Sequence, residues 1–190
     1  MYQKYHTEAL VLGSYESGEA DKTVIFFTRD FGLVRARATA IRLERSKMRY
    51  AIQSLSRANV SLVRGKRGWR LAGATALKLA SGDARAVAAL ARIAELTLRL
   101  VGPEQRNEYL YAALAEAHAA LVQEKVEAAG MIEIICVARL LYSLGYISNE
   151  ALQSALFTHT AYTGESLMEA ESMRDKLLSS INKAIAETQL

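Results

Sequence analysis

The feature of this sequence that most constrains its fold is a change in the spacing of apolar residues near Ser81. Before that point, apolar and polar residues alternate within short segments, which is the pattern of half-buried β-strands. After it, apolar residues recur every three to four positions, which is the pattern of amphipathic helices. The sequence therefore predicts two domains, a β-domain over residues 1–80 and an all-α domain over residues 81–190.

Five short segments of the first part fit strands separated by turns. They are Thr7–Ser14, Lys22–Arg29, Leu33–Ala40, Ser54–Arg64 and Trp69–Leu79. Their short connections favour antiparallel neighbours, and the glycines at 65 and 68 suit a tight hairpin because glycine accepts positive φ. Five strands in about 75 residues predict a small closed barrel, with the OB barrel as the first candidate and an SH3-like barrel as the alternative.

Charge is divided unevenly between the two parts. Residues 1–80 carry 15 Lys and Arg against 6 Asp and Glu, a net +9, whereas residues 81–190 carry 9 against 14, a net −5. Within the first part, the segment from Arg35 to Arg70 holds 11 basic residues and one acid, Glu44. A surface of one sign attracts polyanions, and nucleic acid is the commonest of these. We therefore expect the β-domain to bind nucleic acid.

The candidate binding residues are the cations of this segment and one tyrosine. In the third strand, period two places Arg35 and Arg37 on the face opposite the apolar residues. Residues 41–53 show no strand period and predict a mobile basic loop, which offers Tyr50 for stacking on a base. Trp69 is opposite in phase to Arg70 and is interpreted as a core residue, with stacking on a base as the alternative. The complete set is Arg35, Arg37, Arg42, Arg45, Lys47, Arg49, Tyr50, Arg57, Arg64, Lys66, Arg67 and Arg70.

Helical spacing predicts five helices in the second part. They are placed at 83–101, around 110–121, at 131–144, at 148–156 and at 167–184. Arg139 lies within the apolar run of the third helix, where its long stem can carry the charge to the surface. A buried ion pair and a contact with a protein partner are the alternatives for this residue.

The sequence has no arrangement typical of catalysis or metal binding. Its three histidines are scattered, and it contains no P-loop, GxSxG or GxGxxG motif. The single cysteine, Cys136, lies in an apolar run and is predicted to be buried. There is no signal-peptide pattern and no membrane-length apolar stretch. The expectation is a cytoplasmic, nucleoid-associated protein that is not an enzyme and has no cofactor.

Two stretches carry a family resemblance. TEALVLGSYESGEADKTVIFFTRDFGLVRARATA, followed by LVRGKRGW, resembles the N-terminal OB domain of the RecO family. ELTLRLV and ARLLYSLGY are similar to helices of the same family, so the resemblance covers about residues 1–146. It implies a protein of recombinational DNA repair that binds single- and double-stranded DNA through Arg35, Arg37, the basic loop and the hairpin.

The resemblance also implies partners. Such a protein anneals complementary strands and acts with RecR and the single-stranded-DNA-binding protein in loading RecA. The helical part would receive the acidic C-terminal tail of the single-stranded-DNA-binding protein, with Arg139 as a candidate contact.

The sequence departs from the family in two respects. Many members carry a four-cysteine zinc site after the Leu-Gly-Tyr motif, whereas Ile147–Leu190 contains no cysteine, so no metal is expected. The sequence is also shorter than is typical of the family. Two other functions fit the basic surface: an OB protein that binds RNA, and a non-enzymatic scaffold that binds acidic protein partners.

Overall fold

A computed structural model describes residues 3–43, 46–80, 83–123, 128–148 and 154–188. The chain forms two compact units, one made of Met1–Ser81 with Ala94–Tyr111 and the other of Gly82–Ile93 with Ala112–Leu190. The first unit takes in residues from the helical half, so neither unit is a continuous stretch of sequence. The division into domains at residue 80 stays a prediction.

The first unit contains a closed barrel of five strands. The strands are β1 (Lys4–Glu16), β2 (Lys22–Thr28), β3 (Gly32–Ala38), β4 (Arg57–Gly65) and β5 (Gly68–Lys78). Their order around the barrel is β1-β2-β3-β5-β4. This arrangement confirms the predicted barrel, and it is the order of a five-stranded OB fold.

One strand pairing differs from the prediction. β3 and β5 are parallel, with Ala36 opposite Trp69 and Arg37 opposite Arg70. The reason is topological, because residues 39–56 deliver β4 to the free side of β1 instead of to β3. β4 then runs antiparallel to β1, and β5 antiparallel to β4, so β5 has the direction of β3. The prediction that all neighbours are antiparallel is therefore wrong at the closure of the barrel.

Alternate residues of each strand fill the barrel. Val34, Ala36 and Ala38 of β3 are fully buried, and Ala58, Val60 and Leu62 of β4 are at most 2% exposed. These are the inward residues that period two predicts. Trp69 is 5% exposed and belongs to the same cluster, which confirms its interpretation as a core residue.

The segment between β3 and β4 is more ordered than predicted. It contains a short helix, α1 (Met48–Ala51), and Ile41 and Ile52 at its two ends join the barrel core. Because these apolar side chains leave water, they fix the segment to the end of the barrel. The interpretation of residues 41–53 as a mobile loop is therefore wrong for the described part, and the predicted site residue Arg45 lies outside the described residues.

A glycine permits the tight turn that begins β3. Gly32 has φ of 65°, and a Cβ at this position would collide with the backbone of Gln105. We expect Gly32→Ala to lower the free energy of unfolding of the barrel by about 3 kcal/mol, because the neighbouring backbone must move. Urea denaturation measures this change. Gly13→Ala is the matched control, since nothing lies within 4 Å of its Cβ position; equal stability of the two variants would contradict the expectation.

The described helices are α2 (Ala84–Leu100), α3 (Glu108–Gln123), α4 (Ala129–Ser143), α5 (Gly164–Ser172) and α6 (Arg174–Glu187), with a 3-10 turn at Ala155–Phe157. The predicted last helix is in fact two, which break at Met173 (φ −116°, ψ 19°) with no glycine or proline to mark the break. The predicted helix over 148–156 falls mostly outside the described residues. None of the helices in the described ranges is both long and apolar enough to cross a membrane.

Arg139 of α4 is the largest fully buried side chain in the described chain. Its guanidinium donates to the carbonyl oxygens of Leu156 (2.8 Å), Thr160 (2.8 Å) and Ala161 (3.1 Å) and lies 4.6 Å from the centre of the Tyr162 ring. The prediction that it extends to the surface is therefore wrong. The buried charge ties α4 to the 3-10 turn and to the residues that follow it, because three carbonyl groups there gain a charged donor.

Cys136 of the same helix is fully buried, as predicted. Burial raises the pKa of its thiol to about 12. The thiol is therefore protonated at neutral pH and has no nucleophilic role.

Candidate nucleic-acid interface

A row of side chains crosses the outside of the barrel on four adjacent strands. Arg37 of β3 is opposite Thr23 of β2 on one side and Arg70 of β5 on the other, and Thr23 is in turn opposite Tyr15 of β1. Paired residues of neighbouring strands share a face of the sheet. We call Tyr15, Thr23, Arg37 and Arg70 the outer row. It places an aromatic ring that is 52% exposed at one end and two arginines at the other.

Arg35 lies two residues from Arg37 along β3 and on the same outer face. Its side chain is exposed, and it has no ion pair with any acid in the described part of the chain. Arg37 is different, because it makes two hydrogen bonds to Asp21 Oδ2, at 3.0 Å from Nε and 2.7 Å from Nη2. The arginine with the least neutralised charge in β3 is therefore Arg35.

Asp21 fastens the segment after β3 to the loop before β2. Its Oδ1 accepts the amide of Ala40 at 2.8 Å, and its Oδ2 accepts the guanidinium of Arg37. The Ala40 amide and then Arg37 lower the pKa of Asp21 below its ordinary 3.8. A carboxylate with a lowered pKa stabilises the folded state above its unfolded pKa, and that contribution is lost as the pH falls through the folded value.

We therefore expect Asp21→Asn to destabilise the barrel in a pH-dependent manner. The difference between wild type and variant in the urea midpoint is expected to be widest near about pH 7 and to shrink as the pH falls below about 4. Titration of both proteins by urea at a series of pH values measures this. A difference in urea midpoint that does not change with pH would show that the charge of Asp21 does not contribute to stability.

The β4–β5 hairpin carries a second group of cations. Lys66 and Arg67 form the exposed tip between Gly65 and Gly68, as the sequence predicts. Of the two glycines only Gly68 has positive φ, at 97°. The tip projects two cations that have no acid partner among the described residues.

Arg64, before the hairpin, is held at the end of the barrel. It lies 5.1 Å from the centre of the Trp69 ring and pairs with Glu104 at 2.7 Å. Glu104 also accepts the Trp69 indole N–H at 3.2 Å. Arg64 therefore has an acid partner, and Trp69 is not available for stacking on a base.

A concave site opens at one end of the barrel, and we call it the mouth pocket. It has a volume of about 450 Å³ and is lined by Ser14, Glu16, Lys22, Ile41, Arg42, Arg49, Ile52, Gln53 and Ser54. Arg42 pairs with Glu16 at 3.1 Å. Arg49 lies 4.7 Å from the centre of the Tyr50 ring, which is 58% exposed. The structure thus gathers part of the predicted basic loop around a cavity.

The remaining predicted residues lie apart from these groups. Lys47 is exposed immediately before α1. Arg57 is half-buried on β4 and faces Glu8 at 3.5 Å, beside a groove of about 760 Å³ whose walls include Asp30 and Arg29. Because acids line this groove as well as cations, its field does not favour a polyanion. Arg57 lies on β4, which contributes no residue to the outer row, and it is paired with Glu8.

The sequence reasoning missed several residues of these surfaces, and Tyr15 and Lys22 are the aromatic and the cationic ones. Both precede the basic segment, and only strand pairing brings them to it. The signal that could have found them is the β1–β2 register, in which Tyr15 is opposite Thr23 and Glu16 is opposite Lys22.

Comparison with known proteins gives a family for the barrel. Residues 1–82 match the sequence profile of the family described as "Recombination protein O N terminal". Two proteins named "DNA repair protein RecO", from the Desulfitobacterium hafniense strains DSM 10664 / DCB-2 and Y51, are each 37% identical to this chain over 62 residues. That stretch is 33% of this chain and 23% of each relative, so it spans less than a quarter of the relatives' length.

The closed barrel with its basic outer face is an OB-fold domain. Residues 1–82 are therefore similar to the N-terminal domain of the RecO family, which confirms the predicted resemblance for this region. The matched region ends at residue 82. The similarity of the helices up to residue 146 stays a prediction.

Proposed function

We propose that this protein binds single- and double-stranded DNA in recombinational repair and promotes the annealing of complementary strands. The observation that carries the proposal is the outer face of the barrel. Arg35, Arg37 and Arg70 lie together there on adjacent strands, and Arg35 has no acid partner among the described residues. Its position in a RecO-type OB domain supports DNA as the polyanion.

The chemistry of such binding is electrostatic and needs no covalent step. Cations on a rigid sheet neutralise phosphates and release condensed counterions. Tyr15 and Tyr50 are exposed rings on which unpaired bases can stack without sequence preference. Annealing follows from the same contacts, because neutralised strands repel one another less and stacked bases are held open for pairing.

Fluorescence anisotropy of a labelled single-stranded DNA, titrated at several salt concentrations, tests the proposal. We expect the logarithm of the affinity to fall linearly with the logarithm of salt, by about 0.7 for each phosphate contact. RNA of the same sequence is the discriminating competitor, and tighter RNA binding would favour the RNA-binding alternative. Absence of binding by the folded protein at low salt would overturn nucleic-acid binding and favour an acidic protein partner.

We further propose that the chain acts with RecR and the single-stranded-DNA-binding protein in loading RecA. The acidic tail of the latter needs exposed cations, and Arg139 is fully buried. The residues after 80 carry a net −5, whereas the barrel carries the excess of cations. We therefore propose that the tail binds the barrel and competes with DNA. A synthetic tail peptide should displace labelled DNA, and a peptide that binds without displacing it would place the tail elsewhere.

A further inference from the structure

The mouth pocket combines concave shape with an excess of positive charge. Among the described residues, three cations line it, Lys22, Arg42 and Arg49, together with one acid, Glu16. The net charge of these four groups is +2. Among the described residues Arg42 alone of the three cations pairs with an acid, so Lys22 and Arg49 keep their charges available for a ligand.

The rest of the wall strengthens the attraction for an anion. Ile41 and Ile52 are 2% and 7% exposed and belong to both the pocket and the barrel core. They attach the floor of the pocket to the barrel core, so the cations around it are carried by a packed part of the structure. Ser14, Gln53 and Ser54 add side chains that can donate hydrogen bonds to phosphate oxygens.

We propose that the mouth pocket binds a phosphomonoester, the terminal phosphate of a DNA strand. A phosphomonoester carries about −1.5 to −2 at neutral pH, which matches the +2 of the pocket. An internal phosphodiester carries a single charge and leaves half of the pocket's charge unmatched. The identification of the ligand as a DNA strand rests on the proposed function. A free nucleotide presents the same phosphomonoester group.

The strand pairing connects this pocket to the outer row. Ser14 and Glu16 of β1 line the pocket, while Tyr15 between them is in the outer row. On β2, Lys22 lines the pocket and its neighbour Thr23 is in the outer row. Successive side chains of a strand point to opposite faces. A strand of DNA that lies along the outer row therefore passes the rim of the pocket, where its last phosphate can enter.

The test compares three oligonucleotides of one sequence, with a 5′-phosphate, a 3′-phosphate or no terminal phosphate. We expect wild type to bind one phosphorylated form about tenfold more tightly than the unphosphorylated form, the size of a charge-assisted contact. Lys22→Gln/Arg49→Gln should abolish that preference. Lys66→Gln/Arg67→Gln removes the same charge at the hairpin tip. It should weaken the binding of all three oligonucleotides while keeping the ratio of their affinities. Circular dichroism verifies that each variant is folded.

The outcomes separate this inference from the proposed function. Equal binding of all three oligonucleotides by wild type would overturn the terminal-phosphate site and leave DNA binding intact. If no oligonucleotide binds, the proposed function fails. Titration with thymidine 5′-monophosphate, followed by NMR, then tests whether the mouth pocket binds a phosphomonoester. Binding that Lys22→Gln/Arg49→Gln abolishes would support a phosphomonoester site for free nucleotides. No binding of the mononucleotide would overturn the site as well.

Discussion

Replacing Arg35 and Arg70 together by glutamate is expected to weaken single-stranded DNA binding about 100-fold at moderate salt. The two arginines are exposed on the neighbouring strands β3 and β5, and they flank Arg37 on the outer face. Each substitution takes away one cation that can neutralise a phosphate and adds a repulsive charge. The slope of affinity against salt should also become shallower, by about 0.7 for each phosphate that the variant no longer neutralises. Anisotropy titration of the same labelled strand measures both quantities.

Arg37 is left unchanged in this test because its guanidinium is bonded to Asp21. A glutamate at position 37 would face Asp21 and break the attachment of the segment after β3, so weaker binding could reflect altered structure. Lys176→Glu/Lys183→Glu makes the same change in charge on exposed positions of α6. If that control loses as much affinity as Arg35→Glu/Arg70→Glu, net charge governs binding and the outer row does not.

The barrel could be predicted because its determinants are local. Period two in Val34, Ala36 and Ala38 separates a core face from an arginine face without knowledge of any partner strand. The same holds for the inward residues of β4. The hairpin at Gly65 and Gly68 is also a local signal, since the turn needs only its own residues.

The parts that the sequence reasoning missed depend on distant contacts. Ile41 and Ile52 stand in a basic segment with no strand period, and their burial follows from how the chain crosses the end of the barrel. Tyr15 joins Arg37 only through the pairing of three strands. Arg139 has its three carbonyl partners 17 to 22 residues away, so no local pattern could indicate them.

That burial makes Arg139 the residue of the helical unit for which we expect the largest loss of stability. Arg139→Met keeps the apolar stem but leaves the carbonyl oxygens of Leu156, Thr160 and Ala161 without their charged donor. Each unsatisfied buried acceptor costs about 1 kcal/mol or more, so the free energy of unfolding should fall by about 3 kcal/mol. Urea denaturation followed by far-ultraviolet circular dichroism measures the loss.

Two further variants decide whether the loss comes from these bonds. Arg139→Lys keeps the charge but lacks the planar fork that reaches three acceptors at once, so it should restore only part of the stability. Arg85→Met makes the same substitution at an exposed position of α2 in the same unit and should change stability by less than about 0.5 kcal/mol. Equal stability of Arg139→Met and Arg85→Met would show that the carbonyl contacts are replaced by water at no cost. A large loss confined to Arg139 would instead make the buried arginine the link that holds the segment after residue 154 against α4.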